Sequence, residues 1–508
     1  MQFSRLFMVR RPARASYLVP VVLAVLLGSP FAAIAATETA SDADSARDID
    51  SLRQQLQQEQ ERLRLLEQRL AADEAARAAA PGATVAPAPD ANALVSSFGA
   101  DGFTLRSADG ANAIHLRGNV SVDGRYFSDS YTPATADTWL IRRLRPTLEG
   151  TLANHFDYRI MPDFAQGKSI VQDAWGDVRI APWLIVQFGK FKAPVGLERL
   201  QLEQFARFIE PSLTADLLPY RDLGLRVGGS FDKGVLSYDL GLFDGVIDSG
   251  STDGNSTADT NSTGKFTWDG RLFAKPFVNT DLSVLKGLGL GVAGTYVNDS
   301  GIATATTTTS LLANYKTTGQ QGLLSYRANT AGGGIFNNAT IAQGIERRLT
   351  PQFYYYYRSV GLLGEYVQEN QQVHRQLSAS TARAATLRNT AWQLQASWFL
   401  TGEDEAYDKA TPRRDFGFGQ GGAGAWELVA RYHELQFDDV AFTGGANSFA
   451  NPATAPSAAH AVGVGLNWYL NRNFKAQLDY ELTRFNGGGA SGDRPDERVL
   501  TSQFALIF

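Results

Sequence analysis

The last ten residues, Val499 to Phe508, alternate in character: Leu500, Phe504, Leu506 and Phe508 share one face with Ser502, while Thr501, Gln503 and Ala505 share the other. A period of two is what a strand needs when one face meets lipid and the other meets water. The alternation recurs upstream. Ile114, Leu116, Val120, Val122 and Tyr126 alternate with polar residues, and Leu148, Gly150 and Leu152 do so with Thr147, Glu149 and Thr151. Leu223/Leu225/Val227, Leu236/Tyr238/Leu240/Leu242, Leu288/Leu290/Val292, Trp392/Leu394/Ala396/Trp398, Val462/Val464/Leu466/Trp468 and Phe474/Ala476/Leu478/Tyr480/Leu482 repeat it. About sixteen strands of membrane-crossing length are expected. The fold class is therefore all-β: a transmembrane antiparallel barrel.

Connection lengths support this independently. Short links fall near Ala153-Asn154, Ala181-Pro182, Asp232–Gly234, Ser359 and Asn471–Asn473, and long polar loops occupy 192–221, 244–267, 297–348, 369–388 and 436–460. Short turns at one end and long loops at the other is the asymmetry of an outer-membrane barrel. Residues 401–424 break the rule, being long on the short-turn side, so either that turn is atypical or the strand count is off by one pair.

The amino-terminal part has a different period. Ile49, Leu56, Leu63 and Leu70 lie seven apart, with Leu52 and Leu66 between them and Glu59 and Asp73 interrupting the seam. A short coiled coil or a single solvated helix fits that pattern. Before it, Arg5, Arg10, Arg11 and Arg14 precede an apolar stretch, Tyr17 to Gly28, and a small-x-small site at Ala33-Ile34-Ala35. These are the parts of a secretory signal. The expected organisation is signal peptide 1–35, helix or coiled coil 36–80, an Ala/Pro-rich linker 81–100, and barrel 101–508.

Cleaving that signal removes four arginines and no acid, taking the formal charge from −5 to −9. A mature chain this acidic argues against a nucleic-acid partner. With no cysteine in the sequence, disulfides and thiolate chemistry are excluded. The five histidines, His115, His155, His374, His433 and His460, have no metal-ligand spacing. Gly289, Gly291 and Gly294 match a nucleotide-loop spacing but lie in a strand, where glycines relieve curvature. No catalytic residue, metal or cofactor is assigned, and no enzyme is expected.

The informative chemistry is charge on the wet face. Leu144, Leu148 and Leu152 fix the lipid side of one strand, so Arg143, Arg145 and Glu149 point inward, with Arg142 expected near the rim. Arg159, Arg179, Arg226, Arg271 and Lys275 fall in the polar register of theirs. A lumen lined by guanidinium groups draws anions. Asp157, Asp163, Asp173, Asp177 and Asp239 share those faces, and neutralised ladders are the alternative. The loop from Lys192 to Arg221 carries Leu197, Leu200, Leu202, Phe205, Phe208 and Ile209 together with Arg199 and Arg207. That apolar content is better buried than exposed, so the loop is expected to fold inward as the constriction, a lid over a binding site being the structural alternative.

From here the sequence resembles the phosphate-selective porin O and P family. The resemblance runs through Phe188-Gly-Lys-Phe-Lys-Ala-Pro-Val-Gly-Leu-Glu198, Phe208-Ile-Glu-Pro-Ser-Leu213, Arg221-Asp-Leu-Gly224 and Arg271-Leu-Phe-Ala-Lys-Pro-Phe277. It continues through Pro351-Gln-Phe-Tyr-Tyr-Tyr-Tyr357, Gly364-Glu-Tyr366, Leu400-Thr-Gly-Glu403, Ala425-Trp-Glu-Leu428 and Gly465-Leu-Asn-Trp-Tyr-Leu-Asn471. It implies a homotrimer of outer-membrane barrels passing small anions such as phosphate. The family's arginine pair corresponds to Arg142 and Arg143, its basic residue after Gly-Leu-Glu to Arg199, and a constriction acid to Asp173 or Asp177. The family's lysine-rich central loop is thin here: 297–349 offers Lys316, Arg327, Arg347 and Arg348. The expected function is a passive anion-preferring channel. A non-selective porin, or an envelope tether whose residues 47–77 touch the cell wall, is the alternative.

Overall fold

The computed structural model describes residues 61, 64, 65, 68, 94–99, 102–128, 137–167, 169–245, 265–331, 336–419 and 421–508. The chain divides into two compact units, Met1–Ala88 and Pro89–Phe508. In the first, Glu61, Arg64, Leu65 and Gln68 are helical. The six apolar heptad positions and residues 1–35 lie outside the described residues.

The second unit is a closed antiparallel barrel of sixteen strands. In chain order these are β1 (Ala113–Phe127), β2 (Thr138–Leu152), β3 (Phe156–Asp163), β4 (Ile170–Ala181) and β5 (Leu184–Lys192). Then come β6 (Arg221–Phe231), β7 (Leu236–Phe243), β8 (Thr267–Ala274), β9 (Leu288–Ser300), β10 (Thr340–Tyr357) and β11 (Val360–Gln376). β12 (Ala382–Phe399), β13 (Ala425–Gln436), β14 (Pro456–Tyr469), β15 (Phe474–Gly489) and β16 (Glu497–Ile507) complete the wall. Each strand pairs with its neighbours in sequence, and β16 closes on β1 from Val499↔Phe127 to Ile507↔Asn119. Closing β16 on β1 pairs the two strands that would otherwise be the edges of the sheet, as a wall in lipid requires.

The two faces follow the sequence period. Trp392, Leu394 and Trp398 of β12 are exposed, as are Val462 and Val464 of β14 and Leu500 and Phe504 of β16. Thr501, Gln503 and Ala505 are buried on the opposite face of β16. Exposed leucine and tryptophan on the outside of a closed sheet is the surface that lipid covers. At the chain end, the amide of Gly118 donates to the Phe508 carbonyl (2.7 Å) and that of Phe508 to the Gly118 carbonyl (3.0 Å). The Phe508 ring fills the place a β-carbon at 118 would take, 2.5 Å away. Beyond β16 a hairpin, Leu94–Gly99 and Gly102–Ser107, continues the pairing with β1 from Phe103↔Leu116 to Arg106↔Ala113. Composition reads a linker over 81–100, but Leu94–Gly99 is a strand: it pairs with Gly102–Ser107, which in turn takes the ladder groups at the start of β1.

Residues 401–424 do lie on the short-turn side, and the strand count is sixteen. That turn is long because it folds into the barrel: Tyr407 and Asp408 meet the loop that follows β5. The loop after β11 is shorter than the pattern implied, 377–381, since both flanking strands run further.

Gly189 in β5 has a φ of +114°, and a β-carbon there would stand 2.2 Å from the Ala174 carbonyl oxygen. Gly189→Ala is expected to destabilise the barrel by about 1–3 kcal/mol from backbone strain alone. The denaturant midpoint of the folded, heat-modifiable band on gels measures this, and an unchanged midpoint would contradict it.

Candidate functional site

The loop joining β5 to β6, residues 193–220, lies inside the barrel. It must bury its backbone without a sheet, so each polar group needs another partner. Side chains on the inner wall supply them. Glu365 accepts from the Leu197 amide (2.6 Å), His433 Nδ1 from Leu213 (3.0 Å) and Asp479 from Ile209 (2.7 Å). Gln352 donates to the Val195 carbonyl (2.9 Å), Arg431 to Glu210 (2.8 Å), Asn467 to Arg207 (3.0 Å) and Lys475 to Ala206 (2.7 Å). Val195, Leu197, Leu213 and Leu217 are fully buried, packed against Val367, Leu363, Leu387 and Leu435 of the wall and Leu312, Tyr315 and Leu323 of the loop after β9. Inward folding of this loop is therefore as expected from its apolar residues.

The buried Arg207 ties the loop to two carboxylates, Glu405 of the long turn (2.5 Å) and Glu427 of β13 (2.7 Å). Both acids hold its guanidinium charged against the burial that opposes it. Tyr407 of the same turn bonds the Leu197 carbonyl. From the loop end, the Lys316 amide donates to Asp216 (3.2 Å), Thr317 to Glu497 (2.9 Å), and Gln320 to Glu210 (3.2 Å). The lumen is thus narrowed from both ends around residues 193–220.

On the β2 side the wall carries three arginines. Ser121 of β1 pairs with Arg143 but Val122 pairs with Ile141, so Arg142 is the extra residue of a bulge. The bulge turns Arg142 inward beside Arg143. Arg142 is 4% exposed and donates to Glu210 (3.1 Å), so it is not at the rim where strict alternation put it. Arg125 also bonds Glu210 (2.7 Å). Arg145 bonds Asp163 (2.8 Å) and Glu203, and Arg143 lies 3.4 Å from Glu203. Across from them the Tyr220 ring meets Lys192 (5.7 Å), Arg199 (4.8 Å) and Arg221 (4.5 Å). Arg199 is oriented by the Ala215 carbonyl (2.6 Å), and Arg221 by Asp173 (2.7 Å). One cavity is lined by Arg143, Lys192, Arg199, Arg207, Glu198 and Glu203, with Tyr220.

The model of the phosphate-selective porin O and P family matches residues 114–506. The chain belongs to that family. It is an outer-membrane porin, a passive channel. Among solved structures, this porin resembles in-vitro-folded OmpT of Vibrio cholerae (8% identity, 78% of this chain and 98% of that one, TM-score 0.46). It also resembles the outer-membrane channel DcaP of Acinetobacter baumannii (7% identity, 79% and 99%, TM-score 0.46). A third is Salmonella typhi OmpF in complex with daunomycin (13% identity, 78% and 98%, TM-score 0.44). No curated protein matches the sequence.

The porin brings together Arg142, Arg143, Arg145, Arg199, Arg207 and Arg221, with Arg159 at their edge through Asp173 (3.6 Å), but not the other basic candidates. Arg159 bonds Glu149 (2.5 Å), Arg179 bonds Asp157 (2.9 Å) and Arg226 meets Asp239 (3.2 Å) along the wall. Arg271 donates to Gln352 (3.0 Å) and covers the Phe273 ring, and Lys275 stands exposed at the turn after β8. Asp173 belongs to the narrow zone through Arg221; Asp177 faces Asp157 across the β3–β4 pair instead. Glu203, Glu210 and Tyr220 were not singled out from sequence. The acids in the apolar run 197–213 were the available signal, since a buried carboxylate implies a buried cation.

Burial pushes the Asp216 carboxyl up to about 8 from an ordinary 3.8, although Arg199 opposes the shift. A raised acid is neutral in the fold, so the stability it lends is complete below pH about 4 and lost as pH rises through about 8. Contact between residues 193–220 and the loop after β9 should therefore loosen across that window, seen as growing noise in single-channel current. Asp216→Asn should flatten the pH response; equal noise growth in that variant would contradict it.

Proposed function

We propose that this porin prefers small anions, with phosphate among them. The observation that carries the reading is the cavity beside residues 193–220, where Arg143, Lys192, Arg199 and Arg207 face Glu198 and Glu203. Selectivity follows the ring of charge at the narrowest point, not the charge of the whole chain. Guanidinium groups supply planar, paired donors that suit phosphate or carboxylate oxygens. Transit needs sites strong enough to draw an anion in and weak enough to let it leave. The carboxylates standing among these cations keep the attraction moderate, and the stacking of Arg199 and Arg221 on Tyr220 holds their planes in place.

A second reading, a non-selective porin, has an observation of its own. The wall pairs Arg179–Asp157 and Arg226–Asp239 cancel charge outside the narrow zone, and Arg159–Glu149 does so at its edge. In the wider proposal the porin is a homotrimer exported by a signal over 1–35. Residues 36–80 form a periplasmic helix, with cell-wall contact assigned to 47–77, followed by a linker from 81.

The zero-current potential of the reconstituted porin across an about tenfold potassium chloride gradient tests the preference. An anion-favouring sign is expected, with Arg143→Ala and Arg199→Ala each lowering the anion-to-cation permeability ratio by about twofold or more. A cation-favouring or near-zero potential in the wild type would select the non-selective reading.

A further inference from the structure

Three guanidinium groups and a phenol converge on one carboxylate in the narrow zone. Arg143 reaches Glu203 Oε2 at 3.4 Å and Arg145 bonds the same oxygen. Arg221 lies 3.3 Å from Oε1, and the Tyr220 hydroxyl donates to it at 2.9 Å. The donors come from separate places in the fold: β2, the start of β6 and the end of the loop between β5 and β6. Two oxygens each met by two donors is how a protein holds a free phosphate or carboxylate.

The acid is the most exposed charged group of the cluster. The Glu203 side chain is 16% exposed, against 8% for Arg143, 4% for Arg221 and 0% for Arg145. It also lines the cavity that Arg143, Lys192 and Arg199 share. Behind it, Asp163 braces Arg145 at 2.8 Å and Asp173 braces Arg221 at 2.7 Å. Those acids fix the guanidinium planes, so the seat keeps its shape whichever carboxylate or phosphate fills it. Glu203 sits on a single short turn, Glu203–Phe205, flanked by Leu202, which is itself partly exposed.

We propose that the Glu203 carboxylate is a tethered occupant of an oxyanion seat, displaced by a permeating phosphate or small carboxylate that takes the same four donors. This rests on the anion preference proposed above and deepens it. A tethered competitor acts at high effective concentration, so it weakens binding of a free anion without abolishing it. That turns a site able to trap an oxyanion into one that releases it. Glu203 is thus a specificity-determining residue. Its removal should slow passage by holding the anion longer.

The test is single-channel chloride current of the full-length porin titrated with inorganic phosphate, alongside its zero-current potential. Glu203→Ala and the near-isosteric Glu203→Gln should lower the half-blocking phosphate concentration by about tenfold or more. Asp239→Asn removes a different lumen carboxylate, one paired with Arg226 (3.2 Å), and should leave the half-blocking value near wild type. An anion-selective wild type with unchanged block in both folded Glu203 variants would overturn this inference alone. Equal tightening by Asp239→Asn would also overturn it, since loss of any lumen acid would then suffice. A cation-selective wild type with no phosphate block in any variant would overturn the anion preference as well.

Discussion

A loop buried inside a barrel has backbone N–H and C=O groups that neither water nor a sheet satisfies, and the interior of this porin is arranged around that constraint. Residues 193–220 form only short helical turns, Leu197–Leu200, Glu203–Phe205 and Leu213–Leu217, which leave their ends and the segments between them for the wall to partner. Glu365, His433 and Asp479 accept from loop amides, while Gln352, Arg431, Asn467 and Lys475 donate to loop carbonyls. The apolar residues between these anchors then pack against the loop after β9 and the inner wall. Many polar residues on the inner faces of β10–β15 are therefore committed to holding the loop rather than to meeting solute. The long turn before β13 is committed in the same way, through Glu405, Tyr407 and Asp408.

That commitment decides where charge is left to act. Elsewhere on the wall, arginine and acid sit opposite each other and largely cancel. At the narrow zone cations crowd around Tyr220 and Arg143, facing the loop acids Glu198, Glu203 and Glu210 as well as the wall acids Asp163 and Asp173 that brace Arg145 and Arg221. Two unit charges about 4 Å apart interact by about 4 kcal/mol at the effective dielectric of a partly buried site. A single loop carboxylate is thus enough to shift the balance of the zone, and this is why the proposed anion preference and the proposed role of Glu203 hang on the same few residues.

The barrel was legible in the sequence because lipid and water impose a period of two, and Trp392/Leu394/Trp398 or Leu500/Phe504 can satisfy it in one register only. Parity survived even the long turn 401–424, whose length comes from reaching into the lumen. The inward fold of 193–220 was legible from its buried leucines. Strict alternation failed at Arg142, where a bulge at Ser121/Val122 adds a residue that no one-dimensional period reveals. The acids of the narrow zone were illegible for a related reason. Glu203 opens a single short turn and Glu210 lies in irregular backbone, so neither belongs to a periodic run and their direction is set by tertiary contacts with Arg143, Arg145 and Arg142. The strand Leu94–Gly99 reads as linker because Leu94-Val-Ser-Ser-Phe-Gly99 has no period of two; Gly102–Ser107, itself docked on the start of β1, holds it extended.

Solute is proposed to move through a narrow, cation-rich passage formed by residues 193–220 and the wall they pack on. The sequence has no cysteine, so a single one introduced at Ala206, which lines the cavity, reports only on that place. Thiol-specific methanethiosulfonates of opposite charge would be added while single-channel current is recorded. The account predicts that the sulfonate reagent reacts faster than the trimethylammonium reagent and that modification cuts conductance by about half or more. Full conductance after complete modification, or faster reaction with the cationic reagent, would contradict it.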